Sequence, residues 1–221
     1  MQQSDRRSER YPSIRVTGFG SVSVQPDKAS LIAGVITDGN SAAAAQAENA
    51  SKISAVIAAI IKAGVQRQDI QTSEYRIDIL YDYVEGKQVF KGYRVTHLLS
   101  ISFLNTALTG SVIDAAAANG ANSISNVSFQ ASNPSAFYLK ALSLAVQDAQ
   151  NKAVSIAISV HSNIMPEPLE IIELTDMEPQ PRVLGLQSTS LPAAATPIEP
   201  GRTQITAKIS ALFRYGRTLK P

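Results

Sequence analysis

The stretch between Ser41 and Phe103 constrains the fold more than any other part of this sequence. An alanine-rich segment with apolar residues at helical spacing runs up to Gly64, which is placed to end a helix in the left-handed conformation. Two segments in which apolar and polar residues alternate then follow, separated by a polar turn over residues 84–91. This order predicts a helix that lies on an antiparallel sheet.

The two alternating segments predict a pair of antiparallel strands. We expect the first strand to bury one face and to expose the other, which is mostly polar. The face expected to be buried consists of Tyr75, Ile77, Ile79, Tyr81 and Tyr83. On the returning strand the corresponding residues are Tyr93, Val95, Leu99, Ile101 and Phe103. Aromatic side chains are therefore available for cross-strand contacts.

The remaining elements extend this pair to an α+β fold. The order is strand, strand, helix, strand, strand, helix, strand, helix, strand, strand, and residues 29–129 follow the split β-α-β arrangement of ferredoxin-like folds, with helices packed on one face. We expect an antiparallel or mixed sheet, a long third helix that begins at Pro134, and a C-terminal hairpin. The first two strands, 14–24 and 29–37, are expected to form a hairpin.

Two glycines interrupt the first strand. Gly18 and Gly20 resemble a dinucleotide-binding loop only in part, because Ser23 stands at the position of the third glycine and no helix follows directly. We predict instead that they mark a bulge or a bend.

The domain organisation is predicted to be a flexible arm over residues 1–13, a domain over 14–216 and a tail over 217–221. No shift in composition marks a boundary inside the domain. One compact unit therefore remains possible, and so do two packed lobes, of which one covers about 29–129 and the other the remainder.

Charge and cysteine content exclude several classes of protein. Twenty basic and 18 acidic residues leave a net charge of +2, which is too balanced for a nucleic-acid-binding surface. The absence of cysteine excludes disulfides, thiolate catalysis, zinc–thiolate sites and iron–sulfur clusters.

Membrane and export signals are weak in this sequence. The most apolar helical stretch, 53–61, is much shorter than the ~20 residues that a membrane span needs, so we predict a chain that does not span the membrane. The opening MQQSDRRSER contains no apolar stretch of the kind found in signal peptides. The protein is therefore expected to be extracytoplasmic if the chain is a processed form, and cytoplasmic otherwise.

No catalytic, cofactor or metal site is predicted. His97 and His161 are the only two histidines, and His97 is expected to be a core or interface imidazole with a hydrogen-bonded partner. Glu74, Asp78 and Asp82 share one strand face, which has the pattern of an ordinary solvated surface. We therefore expect a protein that is not an enzyme and has no cofactor.

A long connection with five prolines, residues 176–201, separates the last two predicted strands. Structureless loops longer than about 12 to 15 residues are uncommon and tend to be functional or disordered. The apolar residues in this connection either cover the protein's own sheet or contact a neighbouring subunit, and both readings remain open. Candidate assembly contacts are Val183, Leu184, Leu186 and Leu191 in the connection and Ile14 and Val16 in the first strand.

Several short motifs together resemble the SIMPL-domain family. They are VTGFGSVSVQPDKA (16–29), DIQT (69–72), GYRV (92–95), GANSI (120–124), AVQDAQNKA (145–153) and PIEPG (197–201). The resemblance implies a mixed sheet-and-helix fold and export to the periplasm or cell surface of bacteria. It also implies a loose link to oxidative-stress defence and cell-envelope functions, and large closed oligomers in some members. It provides no catalytic residues to transfer.

The leading functional hypothesis is an exported, non-enzymatic protein that acts through self-assembly or through a cell-envelope partner, with a link to stress defence. One alternative is a small-molecule binder or hydrolase with a cleft between the long helix and the terminal hairpin. The other is an intracellular adaptor that binds peptides by strand addition to an open sheet edge.

Overall fold

The computed structural model describes residues 12–174, 182–184 and 196–216. The α-helices in these ranges are α1 (Ala42–Lys62), α2 (Thr109–Ala118) and α3 (Pro134–Ser159). The strands are β1 (Ser13–Val24), β2 (Lys28–Gly39), β3 (Ile70–Val84), β4 (Lys87–Leu104), β5 (Ser123–Gln130), β6 (Asn163–Glu173), β7 (Arg182–Leu184) and β8 (Arg202–Gly216). All strand pairs described are antiparallel, which confirms the α+β class.

The chain divides into two compact units. The long-helix unit comprises residues 1–24, 133–183 and 203–221, and the ferredoxin-like unit comprises 25–132 and 184–202. Most of the arm before residue 14 and the tail after 216 lie outside the described residues, as does most of the proline-containing connection.

The ferredoxin-like unit has the split β-α-β arrangement predicted for residues 29–129. Its four strands lie in the order β3-β4-β2-β5, and α1 packs on β2 and β4 and contacts α2. Local signals set the ends of α1, because the Ser41 hydroxyl accepts a hydrogen bond from Ala44 N at 3.2 Å and Gly64 has a φ of +107°. The core includes Leu31, Val35, Val56, Ile60, Leu99 and Ile101.

The turn between β3 and β4 is tighter than expected. Only Glu85 and Gly86 form the loop, with φ values of +51° and +77°, so β4 already begins at Lys87. Two successive positive φ angles match the twist of a two-residue hairpin, which lets the strands remain paired up to the loop. The polar segment predicted as a turn over 84–91 is therefore mostly strand.

In the long-helix unit, α3 lies directly on β1. The strand order is β1-β8-β6, with β7 also paired to β8. Five alanines at four-residue spacing are fully buried on the inner side of the helix: Ala141, Ala145, Ala149, Ala153 and Ala157. Asn133 caps α3 and Pro134 is its first residue, as predicted.

Gly18 and Gly20 make this close contact between helix and strand possible. A Cβ atom on Gly18 would lie 1.9 Å from the carbonyl oxygen of Ala145, and a Cβ on Gly20 would lie 1.8 Å from that of Ala141. The pairing of β1 with β8 runs without a register shift, so the bulge predicted at these glycines is wrong. Their role is steric, because α3 approaches at a distance that only glycine allows.

The predicted hairpin between the first two strands is also wrong. β1 pairs with β8, whereas β2 pairs with β4 and β5 in the other sheet. A short connection favours pairing of neighbouring strands, but here the apolar face of each strand is buried in a different unit.

The pairing predicted for the last two long strands is confirmed. β6 pairs with β8 and is longer than expected, since it begins at Asn163 and contains Pro166 and Pro168. The register shifts on both sides of Pro168, as is typical of proline in an edge strand.

Candidate functional site

The most unusual surface of the described residues is an apolar face on the β3–β4 hairpin. We call it the hairpin face. It consists of Tyr75, Ile77, Ile79, Tyr81 and Tyr83 on β3 and Phe90 and Tyr93 on β4. The five residues on β3 are 41–74% exposed, so the prediction that they are buried is wrong. β3 is an edge strand and α1 packs on β2 and β4, which leaves the apolar side of β3 uncovered.

The aromatic rings of the hairpin face contact one another edge to face. The ring centroids of Tyr81 and Phe90 lie 6.4 Å apart, and those of Phe90 and Tyr93 lie 5.5 Å apart. Nearer the core, Tyr75 packs at 5.1 Å and nearly perpendicular to the ring of His97. These contacts order the rings before any partner binds, which lowers the entropic cost of binding.

His97 lies half-buried beside this face. Its Nε2 atom is 3.1 Å from the Thr72 hydroxyl, so the imidazole has the hydrogen-bonded partner that the sequence predicted. Burial lowers the pKa of His97 and favours the neutral ring. A neutral imidazole in contact with Tyr75 is compatible with an apolar surface.

The opposite face of the hairpin is charged and solvated. Arg76 Nε lies 2.9 Å from an Asp78 carboxylate oxygen and 3.3 Å from one of Glu74, and Lys91 pairs with Asp82 at 3.0 Å. His97 shares the side of the sheet with Tyr75, opposite in register, while Glu74 and Asp78 point to the other side. The structure therefore does not bring the imidazole and these carboxylates together.

The base of the hairpin is held by a two-pronged ion pair. Arg94 on β4 donates from Nε and Nη2 to the two carboxylate oxygens of Asp38 on β2, at 2.8 and 2.7 Å. The hydrogen bonds from Arg94 are the main reason why the pKa of Asp38 is lowered. Deeper in the unit, the buried Asn49 amide donates to the backbone carbonyl of Val35 at 2.9 Å. The hairpin therefore projects from a fixed platform.

The end of the proline-containing connection is attached to α2. Thr196 donates to the carboxylate of Asp114 from its backbone N at 3.0 Å and from its hydroxyl at 2.5 Å. These hydrogen bonds lower the pKa of Asp114. This contact lies within the ferredoxin-like unit.

The predicted assembly contacts fall in two groups. Ile14 and Val16 are each only 8% exposed and pack in the core of the long-helix unit, so their prediction as contact residues is corrected: α3 covers both side chains. Val183 and Leu184 lie in β7, of which the structure describes only the backbone. Leu186 and Leu191 lie entirely outside the described residues.

Metal and ligand sites are not evident in the part of the chain that the structure describes. There, no group of three or more histidine or acidic residues is placed to hold a metal ion. Two shallow depressions lie on helix surfaces, one beside Leu139 and Leu144 and the other beside Lys62 and Asn119. Neither includes His97. No helix of the described ranges is long and apolar enough to cross a bilayer.

Comparison with known proteins places this fold in a family. The SIMPL family model, described as a protein of unknown function (DUF541), matches residues 14–213. The chain belongs to the SIMPL family. This match includes both units, β1 and β8 as well as the hairpin.

Two relatives illustrate how far the likeness of this SIMPL protein extends. It is 26% identical over 204 residues to the uncharacterized protein YggE of Escherichia coli K12, covering 92% of this chain and 83% of the relative. It is 28% identical over 223 residues to the 26 kDa periplasmic immunogenic protein of Brucella melitensis, covering 96% and 88%. The likeness therefore extends over nearly the full length of each chain.

Proposed function

We propose that this SIMPL protein is a non-enzymatic, extracytoplasmic protein that acts by assembling with copies of itself through the hairpin face. The observation that carries the proposal is the exposure of a row of tyrosine and isoleucine side chains on a projecting edge hairpin. Apolar patches of this kind on a soluble protein typically mark interaction surfaces.

The composition of the hairpin face supports a protein partner. Tyrosine and phenylalanine are enriched in the cores of protein interfaces, where they add much contact area at little cost in side-chain entropy. The charged residues of β3 lie on the other side of the sheet, so they do not interrupt the hairpin face. A second copy of this chain supplies the same aromatic and aliphatic surface.

A non-enzymatic role is supported by the arrangement of the polar groups. The carboxylates of Glu74, Asp78 and Asp82 are engaged by Arg76 and Lys91 on an open surface. General acid or base catalysis normally relies on groups whose pKa is tuned in a cleft that excludes water. A strongly ion-paired, solvated row on a strand does not provide such an environment.

The extracytoplasmic location is supported by the periplasmic relative from Brucella and by the absence of cysteine. The resemblance to the family supports a role in the cell envelope, with a link to stress defence. Fractionation of the source cells tests the location, and we expect the protein in the fraction that osmotic shock releases. Retention with cytoplasmic marker enzymes would contradict this part of the proposal.

A second candidate is peptide binding by strand addition, which the open edge of β3 favours. A monomeric protein that captures an extended peptide on this edge would support that alternative. Native mass therefore distinguishes the two candidates.

Mass photometry combined with light scattering at micromolar concentration tests self-assembly directly. We expect the wild-type chain to be oligomeric and the double substitution Ile77→Thr/Ile79→Thr to shift it towards the monomer, because threonine retains the strand preference but removes apolar area. The matched control is Leu139→Gln/Ile158→Gln, which alters two residues of α3 that are 64% and 63% exposed. This control should remain oligomeric. A wild-type protein that is a monodisperse monomer would refute the proposal.

A further inference from the structure

We propose that β3 pairs with β3 of a second copy, antiparallel and about a two-fold axis that passes through Ile77. The two sheets of the ferredoxin-like units would then join into one continuous eight-stranded sheet. This inference rests on the proposed self-assembly and specifies its contact and its register. Four observations support it.

The first observation is the open edge. β3 is the terminal strand of the order β3-β4-β2-β5, and among the described residues no other strand pairs with its outer side. It is long, from Ile70 to Val84, and contains neither proline nor glycine. By contrast, the edge strand β6 carries Pro166 and Pro168 and has an irregular register. β3 thus lacks the prolines that interrupt β6, and its pairing with β4 is free of register shifts over residues 74–80.

The second observation is the position of the regular part of β3. The register with β4 shifts between Thr72 and Glu74 and again between Leu80 and Tyr81, so residues 74–80 form the undisturbed segment. An axis through Ile77 lies at the centre of this segment. This axis pairs residue 74 with residue 80 of the second copy, so that every residue of the regular segment has a partner.

The third observation is the charge pattern on the solvated face. About an axis at Ile77, Arg76 stands opposite Asp78 of the second copy, and symmetry repeats this pair on the other side. Moving the axis by one residue would place like charges opposite each other. With the axis at Arg76, Glu74 would face Asp78, and with the axis at Asp78, Glu74 would face Asp82.

Registers displaced by two residues are less favourable for a different reason. An axis at Tyr75 or at Ile79 would also match charges, but it would extend the pairing across one of the two register shifts. The extra residue is Ser73 on β3 at the first shift and Lys91 on β4 at the second. A bulge leaves a residue unpaired and increases the local twist of the strand pair, so the edge of β3 is less regular at both shifts. Charge and regularity together therefore select Ile77.

The fourth observation is the match on the hairpin face. In the same register Ile77 lies opposite Ile77 of the second copy, and Tyr75 lies opposite Ile79. Aromatic and β-branched residues are favourable neighbours across antiparallel strands. Across the seam these side chains would cover part of each other's apolar surface, so pairing of the two edges would remove part of the hairpin face from water.

Exchange of charges tests the register. Arg76→Glu and Asp78→Arg should each raise the dimer dissociation constant by about tenfold or more, because each variant alone places like charges opposite twice. An equimolar mixture should recover association as a heterodimer. In it, the carboxylate introduced at position 76 of one chain faces the guanidinium introduced at position 78 of the other, and the two unchanged residues, Asp78 and Arg76, also face each other. Circular dichroism of each variant verifies that the fold is retained.

A cysteine scan provides an independent readout, because the chain has no cysteine of its own. Ile77→Cys should form an intermolecular disulfide under mild oxidation, since directly opposed positions on antiparallel strands have a Cα spacing within the range of disulfides. Tyr83→Cys is the control, because two copies of residue 83 would be about 40 Å apart in this register. We expect a cross-linked dimer from the first variant only.

The outcomes separate this inference from the proposed function. A wild-type oligomer in which Tyr83→Cys cross-links and Ile77→Cys does not would overturn the register and leave self-assembly intact. The same holds if both single charge variants keep the wild-type mass. A monomeric wild-type protein would overturn both proposals together.

Discussion

The edge strands β1 and β3 differ in whether side chains form hydrogen bonds with the backbone groups on their free side. On β1, the backbone N of Phe19 donates to the Asp148 carboxylate at 2.8 Å, and the carbonyl of Thr17 accepts from Lys152 Nζ at 3.0 Å. Both capping side chains come from α3. On β3, no comparable cap is present among the described residues.

This difference shows which edge is open to another chain. An unpaired strand edge is a hazard for aggregation, and proteins usually protect it with charges, prolines or a covering element. Here α3 protects β1, and the prolines protect β6. Among the described residues β3 has neither such a cap nor a proline, and its charged side chains lie on one face and leave the other apolar. This is the arrangement expected if its edge and apolar face are used for association.

The largest effect on the protected edge is expected when α3 is displaced from β1. We expect Gly20→Ala to lower the free energy of unfolding by about 3 kcal/mol or more, because its Cβ would overlap the carbonyl oxygen of Ala141. Urea denaturation followed by circular dichroism measures the loss. Gly216→Ala is the control, since no atom of the described residues lies within 4 Å of its added Cβ, and it should change stability by less than about 0.5 kcal/mol. Equal stability of the two variants would contradict the close helix contact.

Much of this architecture can be predicted from the sequence, because it depends on local signals. Ser41 and Gly64 delimit α1, and Asn133 with Pro134 starts α3. The order of elements over residues 29–129 is also sufficient to indicate the ferredoxin-like arrangement. These features depend on capping and periodicity, which are properties of neighbouring residues.

The wrong predictions concern features that depend on which element packs against a strand. Alternation along β3 identifies an apolar face, but it does not reveal whether a helix covers that face. A ferredoxin-like order places the strand after α1 at the edge of the sheet, and this topological signal could have revealed its exposure. For Gly18 and Gly20 no local signal distinguishes a bulge from a close helix contact, because both need glycine for different reasons.

Removing only the Asp148 side chain that caps β1 should lower the free energy of unfolding less than displacing α3 does. We expect Asp148→Ala to cost about 1–2 kcal/mol, because the N–H of Phe19 loses its acceptor and Lys152 loses its ion-pair partner at 2.6 Å. Asp148→Asn should cost less, since its amide oxygen can still accept from Phe19. Light scattering during storage should show slow aggregation of the alanine variant. If alanine and asparagine behave alike, the backbone cap contributes little.

The smallest effect is expected on the open side, at the base of the β3–β4 hairpin. Arg94 holds the pKa of Asp38 below its ordinary value, so the folded state favours the ionised carboxylate. The resulting stabilisation is complete above the unfolded pKa, near 3.9, and is lost as the pH falls through the lower folded pKa.

Because both side chains are nearly half exposed, we expect Asp38→Asn to cost only about 0.5–1 kcal/mol at pH 7. The difference between variant and wild type should shrink below about pH 4, as Asp38 becomes protonated in the wild type as well. Urea denaturation of both proteins at pH 7, 5 and 3 measures this difference in the free energy of unfolding. Since the pair lies at the base and not on the hairpin face, Asp38→Asn should leave the native mass unchanged. A loss of assembly in this variant would mean that association depends on how the hairpin is anchored, and not only on the edge and face of β3.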